Sequence, residues 1–471
     1  MTKHKNMSRY FLLLNLLVSL SLFSQIRLND AKIELKKSSD FHQMVTSANL
    51  KTKEIISFIS DKNKITALKF NNSIFLSDTL SLNKPDDYRF LIGSYFVESN
   101  NPISYWANND LSEFYGISFD FQNKNTTQFK FDLNLKEDQI FSEFSENGKF
   151  YFISQKKDSD ELLVTILNGN VVEKKRIDFS KINFIDENKP ASLNKLLKKY
   201  GLTKIEEKGY NSLFTTSKKI KFYLKKDIII ITFDNTTSSA MVLEINLLNS
   251  DIKETKYKIP FEENFNTTNS LLFENKLVQL KANKSEFKVD VFDFENNNLL
   301  KTFQIKAENE ESTFGNYFYS QTGDNRPKKI KSAKKFLRRI SFENLGASIY
   351  NYKDIYISTI GSIRETLSNG NVLVGVLGLA TIAAGYDTGL VGLTDDYTIQ
   401  SNAFDVTFNA DFEIINYPSE PLFIDKISRV ISENKYCKLD HYFPYKDYFI
   451  LSYYDSKNKE VVLVKCTDGF D

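Results

Sequence analysis

The chain has 471 residues, with 62 Lys and Arg against 60 Asp and Glu for a net charge of +2. Hydrophobic residues make up 41%, including 40 Phe and 24 Tyr but one Trp, and there are only 17 Gly, 8 Pro, 3 His and 2 Cys. This excludes collagen-like, disulfide-stapled and wholly disordered chains; the mean hydropathy of −0.36 excludes a chain of membrane spans, and the balanced charge removes the electrostatic basis for bulk nucleic-acid binding.

Residues 1–24 have the order of a secretory signal peptide. Lys3, Lys5 and Arg9 precede an apolar run at 11–23, and the small residues Ser21 and Ser24 follow. The run is shorter than the roughly 20 residues that a membrane span needs. Cleavage after Ser24 leaves 59 bases against 60 acids. The expectation is an exported protein: periplasmic, on the outer surface or secreted.

From about residue 41 the chain alternates short β-type runs with polar turns. KITALKF and SIFLSDTLSL form one pair, and KFYFISQ is followed by ELLVTILNGNVVEKKRIDF. In the latter, Asn168–Gly169 is a hairpin signal, since both residue types tolerate positive φ. DIIIITF with MVLEINLL, KLVQLKA with EFKVDVFDF and LLKTFQIKA, and YFILSYYD with KEVVLVKC continue the rhythm. Comparable units start near residues 41, 88, 139, 208, 266, 340 and 422. A unit of roughly 40–50 residues with about four strands resembles the blade of a β-propeller. The resemblance implies an all-β chain of about seven blades, one body from 25 to 471 behind the signal peptide. It is one of architecture: no WD dipeptide, kelch glycine pair or Asp-box recurs, and Trp106 stands alone. The competing fold is a string of β-sandwich domains, which calls for linkers; no Pro/Gly/Ser-rich linker is seen.

Three segments leave the rhythm. In 190–201, Leu193, Leu196, Leu197 and Tyr200 mark one face of a short helix, with Ser192 as N-cap and Gly201 as its end. In 326–339, eight of fourteen residues are basic: Arg326, Lys328, Lys329, Lys331, Lys334, Lys335, Arg338 and Arg339. They fit an anionic partner or a solvated connector. With nine Arg in the whole chain, no nucleic-acid partner is expected.

The third segment, 371–393, is Gly/Ala-rich and reads as an insertion within a blade hairpin. Thirteen consecutive residues from Val372 to Ala384 carry no charge. Val372, Val374, Val376, Leu377, Leu379 and Ile382 need cover from the chain itself, a protein partner or a bilayer surface. The expected partners are therefore a protein or glycan, with peripheral membrane contact through 371–393.

Catalytic signals are sparse. Asp387-Thr388-Gly389 matches the aspartic-protease tripeptide, but Leu390 follows where that family has a small residue, and no second copy occurs. Outside the signal peptide, His42 and His441 are the only histidines, and no G-x-S-x-G elbow is present. Cys437 and Cys466 could face each other on neighbouring strands as a disulfide, or stand as buried thiols. No cofactor or metal motif is found. The sequence thus describes an exported binding or scaffold protein of the cell envelope. The alternative is a secreted hydrolase of glycans or peptides whose carboxylates come from several blades.

Overall fold

The structure is a computed structural model that describes residues 26–470 apart from 37, 98–100, 134, 136–137, 188, 260–263, 309–313, 315–316, 324, 368–396 and 419. Residues 1–24, expected to be a signal peptide, and the 371–393 segment, with Val372, Val374, Val376, Leu377, Leu379, Ile382 and Asp387, lie outside the described residues.

Seven sheets of four or five strands succeed one another among the described residues. Sheets one to five span 43–83, 90–131, 138–178, 203–258 and 267–306; sheet six spans 319–409; sheet seven holds 437–466. The first strand, Ile26–Lys32, is the fourth member of sheet seven, antiparallel to Glu460–Cys466. Successive, mainly antiparallel sheets, of which the fourth opens with a short parallel strand and the last is completed by the first strand, have the strand order of an all-β propeller with seven blades. The sequence rhythm located the starts of the first five sheets within about five residues.

Within each blade the residues sort by depth. The second strand of sheet one, Ile55–Ser60, is buried throughout, whereas its fourth, Leu76–Asn83, is largely accessible. Covered stretches read as continuous apolar runs, as in IIITF at 229–233 of the strand Ile228–Phe233. Outer strands such as Ile252–Lys258 are rich in Lys and Glu. The hairpin of sheet three is shifted from its expected place. Asn168 pairs with Val171, so the loop is Gly169–Asn170, and Gly169 alone has positive φ (67°). Gly at the first central position fits a type II′ turn.

The chain divides into two compact units. One comprises the described residues up to Ser104, Ile117–Thr127 and those from Pro418 onward; the other comprises Tyr105–Gly116 and Gln128–Tyr417. In the first, sheets seven and one share a core that includes Ile55, Leu68, Phe70, Ile450, Val461 and Leu463. In the second, sheets four to six share a larger core, centred on rings such as Phe287, Phe336 and Phe404.

Sheet six departs from the meander. Its strands run in the order Lys328–Lys329, Tyr319–Thr322, Tyr397–Asn409, Ile355–Leu367, Asn344–Tyr352. The strand beside Tyr397–Asn409 therefore comes from upstream. The long hairpin pairs from Ile355↔Asn409 to Leu367↔Tyr397, so the 368–396 segment is inserted in a blade hairpin. The strand Tyr397–Asn409 ends in a tight turn: Phe412 has a φ of 57°, and Ile414 bridges back to Phe408.

Helix Leu193–Tyr200 forms as expected, its N-terminus capped by Ser192 Oγ accepting from the Lys195 amide, and Gly201 at φ 71° ends it. Further helices were not anticipated, among them the single turn Leu213–Thr216 and two longer ones. Ala333–Ile340 lies inside the basic stretch, and Phe423–Glu433 precedes sheet seven, where a strand was expected from 422.

Glu460 clamps the first strand. Its side chain is 3% exposed; Oε1 accepts from Arg27 Nη2 at 2.7 Å and Oε2 lies 2.7 Å from Lys32 Nζ. Burial alone would raise the Glu460 carboxyl, but hydrogen bonds and charge from Lys32 and Arg27 outweigh it and hold it below the usual range. A depressed carboxyl stabilises the fold above its unfolded value, about 4.3, and that contribution fades as pH falls through the folded value. Arg27 and Lys32 are half-exposed or more, so solvent screening limits the clamp to about 1 kcal/mol. Glu460→Gln should lower stability by that amount at pH 7 and by little at about pH 3, as read by denaturant unfolding at both pH values.

Candidate functional site

The eight basic residues of 326–339 are all exposed. Lys328 and Lys329 form the short edge strand of sheet six, where lysine also discourages pairing with other chains. The other feature is the helix Ala333–Ile340. Ser332 Oγ accepts from the Lys335 amide at its start. Ala333, Phe336, Leu337 and Ile340 are all 0% exposed, at the i, i+3, i+4, i+7 spacing of one helical face. The opposite face presents Lys334, Lys335, Arg338 and Arg339.

Ring packing fixes the buried face. Phe336 stacks on Phe318 with centroids 4.4 Å apart and meets Phe404 edge-on at 5.9 Å. Arg339 Nη1 donates to Asn402 Oδ1 at 3.1 Å. No ion pair joins any of the eight bases to another described residue. Exposed lysines elsewhere do find acids, as Lys124 with Asp78, Lys130 with Glu113 and Lys253 with Glu244. Among the described residues the basic face is thus an uncompensated charge on a packed helix.

The interior charges are of another kind. Lys221, 0% exposed, donates to Asp234 Oδ2 at 2.9 Å, Asn269 Oδ1 at 2.6 Å and the Lys218 carbonyl at 2.7 Å. Burial lowers its ammonium pKa, against the pull of Asp234. Ser270 Oγ donates to the same Asp234 oxygen. This network joins the first long strands of sheets four and five. Lys281 and Asp290 make a second buried pair at 2.6 Å.

A third group brings two carboxylates together. Lys204 Nζ lies within 3.0 Å of both Glu146, from sheet three, and Glu206. Burial raises the Glu206 carboxyl, with Lys204 opposing and Glu146 reinforcing the rise. These are carboxylates from neighbouring blades, as a dispersed hydrolase requires, but both are engaged by one lysine.

His441 lies on the strand Cys437–Tyr445, opposite Ser452. Ser452 is fully buried, with its hydroxyl in a chain through Thr46 to Ser57. It is not an accessible nucleophile. His42 contacts the Lys36 carbonyl. No group of three metal-capable side chains occurs among the described residues.

The disulfide expectation is corrected: Cys437 and Cys466 are both free and buried. Cys437 pairs with Asp455 and Cys466 with Phe449 on the strand between them. Those partners are six residues apart, which is about 20 Å along a strand, against a Cα separation below about 7 Å in a disulfide. Burial also pushes the Cys437 thiol up.

No family model matches the chain, and no curated protein matches it. Solved structures do resemble it. The WD40 domain of SCAP from fission yeast aligns at a TM-score of 0.34 and 9% identity, over 93% of this chain and 98% of that one. An oligogalacturonate lyase in complex with manganese aligns at 0.34 and 6%, over 94% and 97%. Cobalt-substituted Synechocystis apocarotenoid oxygenase aligns at 0.27 and 9% over 56% of this chain, which spans 61% of that protein's length.

Two outcomes check the site description. A thiol reagent should count no fast-reacting cysteine in the folded protein and two after denaturation; a disulfide would leave none in either state without reductant. Lys221→Met, which strands Asp234 as a buried charge, should cost about 3–5 kcal/mol in denaturant unfolding.

Proposed function

We propose that this protein is an exported binding module of the cell envelope, and that its contact surface is the basic face of 326–339. One observation carries the reading: eight exposed bases without an ion-pair partner among the described residues, four of them on a helix whose other face is completely buried. A packed helix loses little conformational freedom when it binds, so its charges remain available for association. Export is inferred from residues 1–24. The matching ligand class is a polyanion, which four clustered cations attract over distances near the Debye length.

Dextran sulfate serves as a soluble polyanion. The purified protein should bind it with an affinity that drops steeply between about 50 and 200 mM salt. Reversing Lys334, Lys335, Arg338 and Arg339 to Glu should weaken binding on the order of 10²-fold or more. Lys195→Glu with Lys198→Glu, on the exposed face of helix Leu193–Tyr200, should change it little. Equal losses from both variants would show that net charge, and not this face, governs binding.

A further inference from the structure

We propose that the anionic partner of this face is a lipid bilayer surface, and that the outer edge and one end of sheet six form a membrane-docking region. This rests on the reading of 326–339 as the contact surface and adds the class of partner.

The strand register gathers the relevant residues. The long hairpin is last paired at Leu367↔Tyr397. Thr322 pairs with Gln400, and the Gly323 amide donates to the Ile399 carbonyl at 2.9 Å. Gly323 therefore sits beside that end of the hairpin, and Arg326 follows it three residues on. The strand Asn344–Tyr352 starts opposite Ile363, so Phe342, two residues earlier, stands at the same end. The helix bearing Lys334, Lys335, Arg338 and Arg339 leads from the edge strand back to this point.

Two aromatic rings accompany the bases. Phe342 is 67% exposed, with Lys284 Nζ 5.2 Å from its ring centroid. Tyr317 is 59% exposed, with Lys329 Nζ 5.6 Å from its ring. A soluble polyanion would satisfy the ammonium and guanidinium groups but offers nothing apolar to Phe342. A bilayer surface offers both, since phosphates lie a few ångströms outside acyl chains, and aromatic rings flanked by Lys and Arg suit that boundary. Each base near an anionic surface adds electrostatic attraction, and a ring entering the acyl boundary adds hydrophobic transfer.

Flotation tests the inference. The purified protein is mixed with vesicles of phosphatidylcholine alone, or of phosphatidylcholine with phosphatidylglycerol. It should float with the mixed vesicles only. Phe342→Ser should reduce vesicle binding about 10-fold while leaving dextran sulfate binding unchanged; because the ring is exposed, its melting temperature should match the parent's. The fourfold charge reversal should abolish both. If the parent binds dextran sulfate but floats with neither vesicle, the lipid inference is wrong and the basic-face reading stands. If the parent binds neither, both are wrong. If Phe342→Ser floats as well as the parent, docking does not use this end of the sheet.

Discussion

The fold depends on the pairing of its first described strand with its last. Without Ile26–Lys32, the strand Glu460–Cys466 would be an open edge, although Val461, Val462, Leu463 and Val464 are all buried. Such an edge invites pairing with other chains. The contact joins residues 428 to 439 positions apart, and closure entropy grows only slowly with loop length, so a seven-residue strand and one buried carboxylate can serve as the restraint. Tyr445, whose hydroxyl donates to the Lys53 carbonyl at 2.7 Å, and the Thr46–Ser452 hydroxyl contact add polar links between sheets seven and one.

A related economy governs charge inside the second unit. Lys221, Lys281 and Lys204 each find a carboxylate, and in the case of Lys204 with Glu146 the bond ties one sheet to another. A buried lysine with a full set of acceptors contributes little net stability but is costly to disrupt. Lys204 illustrates the consequence for chemistry. It holds Glu146 and Glu206 together, and in doing so engages the carboxylates that a hydrolase would need free. Against this paired interior, the face of 326–339 differs in kind.

Much of the fold was legible because strand pairs leave a local record. Apolar runs bounded by Asn, Asp and Gly gave the first five blades, and one apolar face with its caps gave Leu193–Tyr200. Long-range completion left no such record. Nothing in IRLNDAK names its partner EVVLVKC, and nothing in YSQT shows that it pairs with a strand that follows it by some eighty residues. The helix Ala333–Ile340 was legible in principle, since Ala333, Phe336, Leu337 and Ile340 keep the helical spacing; the density of bases drew attention from it. Phe423, Ile424, Ile427 and Val430 carried the same signal for Phe423–Glu433. For the site, the sequence located the charges but not their support, because a string of lysines reads alike whether it is a loose connector or one face of a packed helix. The cysteine spacing likewise held no information about register.

The basic face therefore rests on a helix whose buried side is held by stacked aromatic rings. Lysine acetylation of the folded protein, with and without dextran sulfate and read by mass spectrometry, tests whether this face is the contact surface. Lys334 and Lys335 should lose reactivity when the polyanion is present, while Lys195 and Lys198 keep theirs. Unchanged reactivity at Lys334 and Lys335, with protection elsewhere, would contradict it.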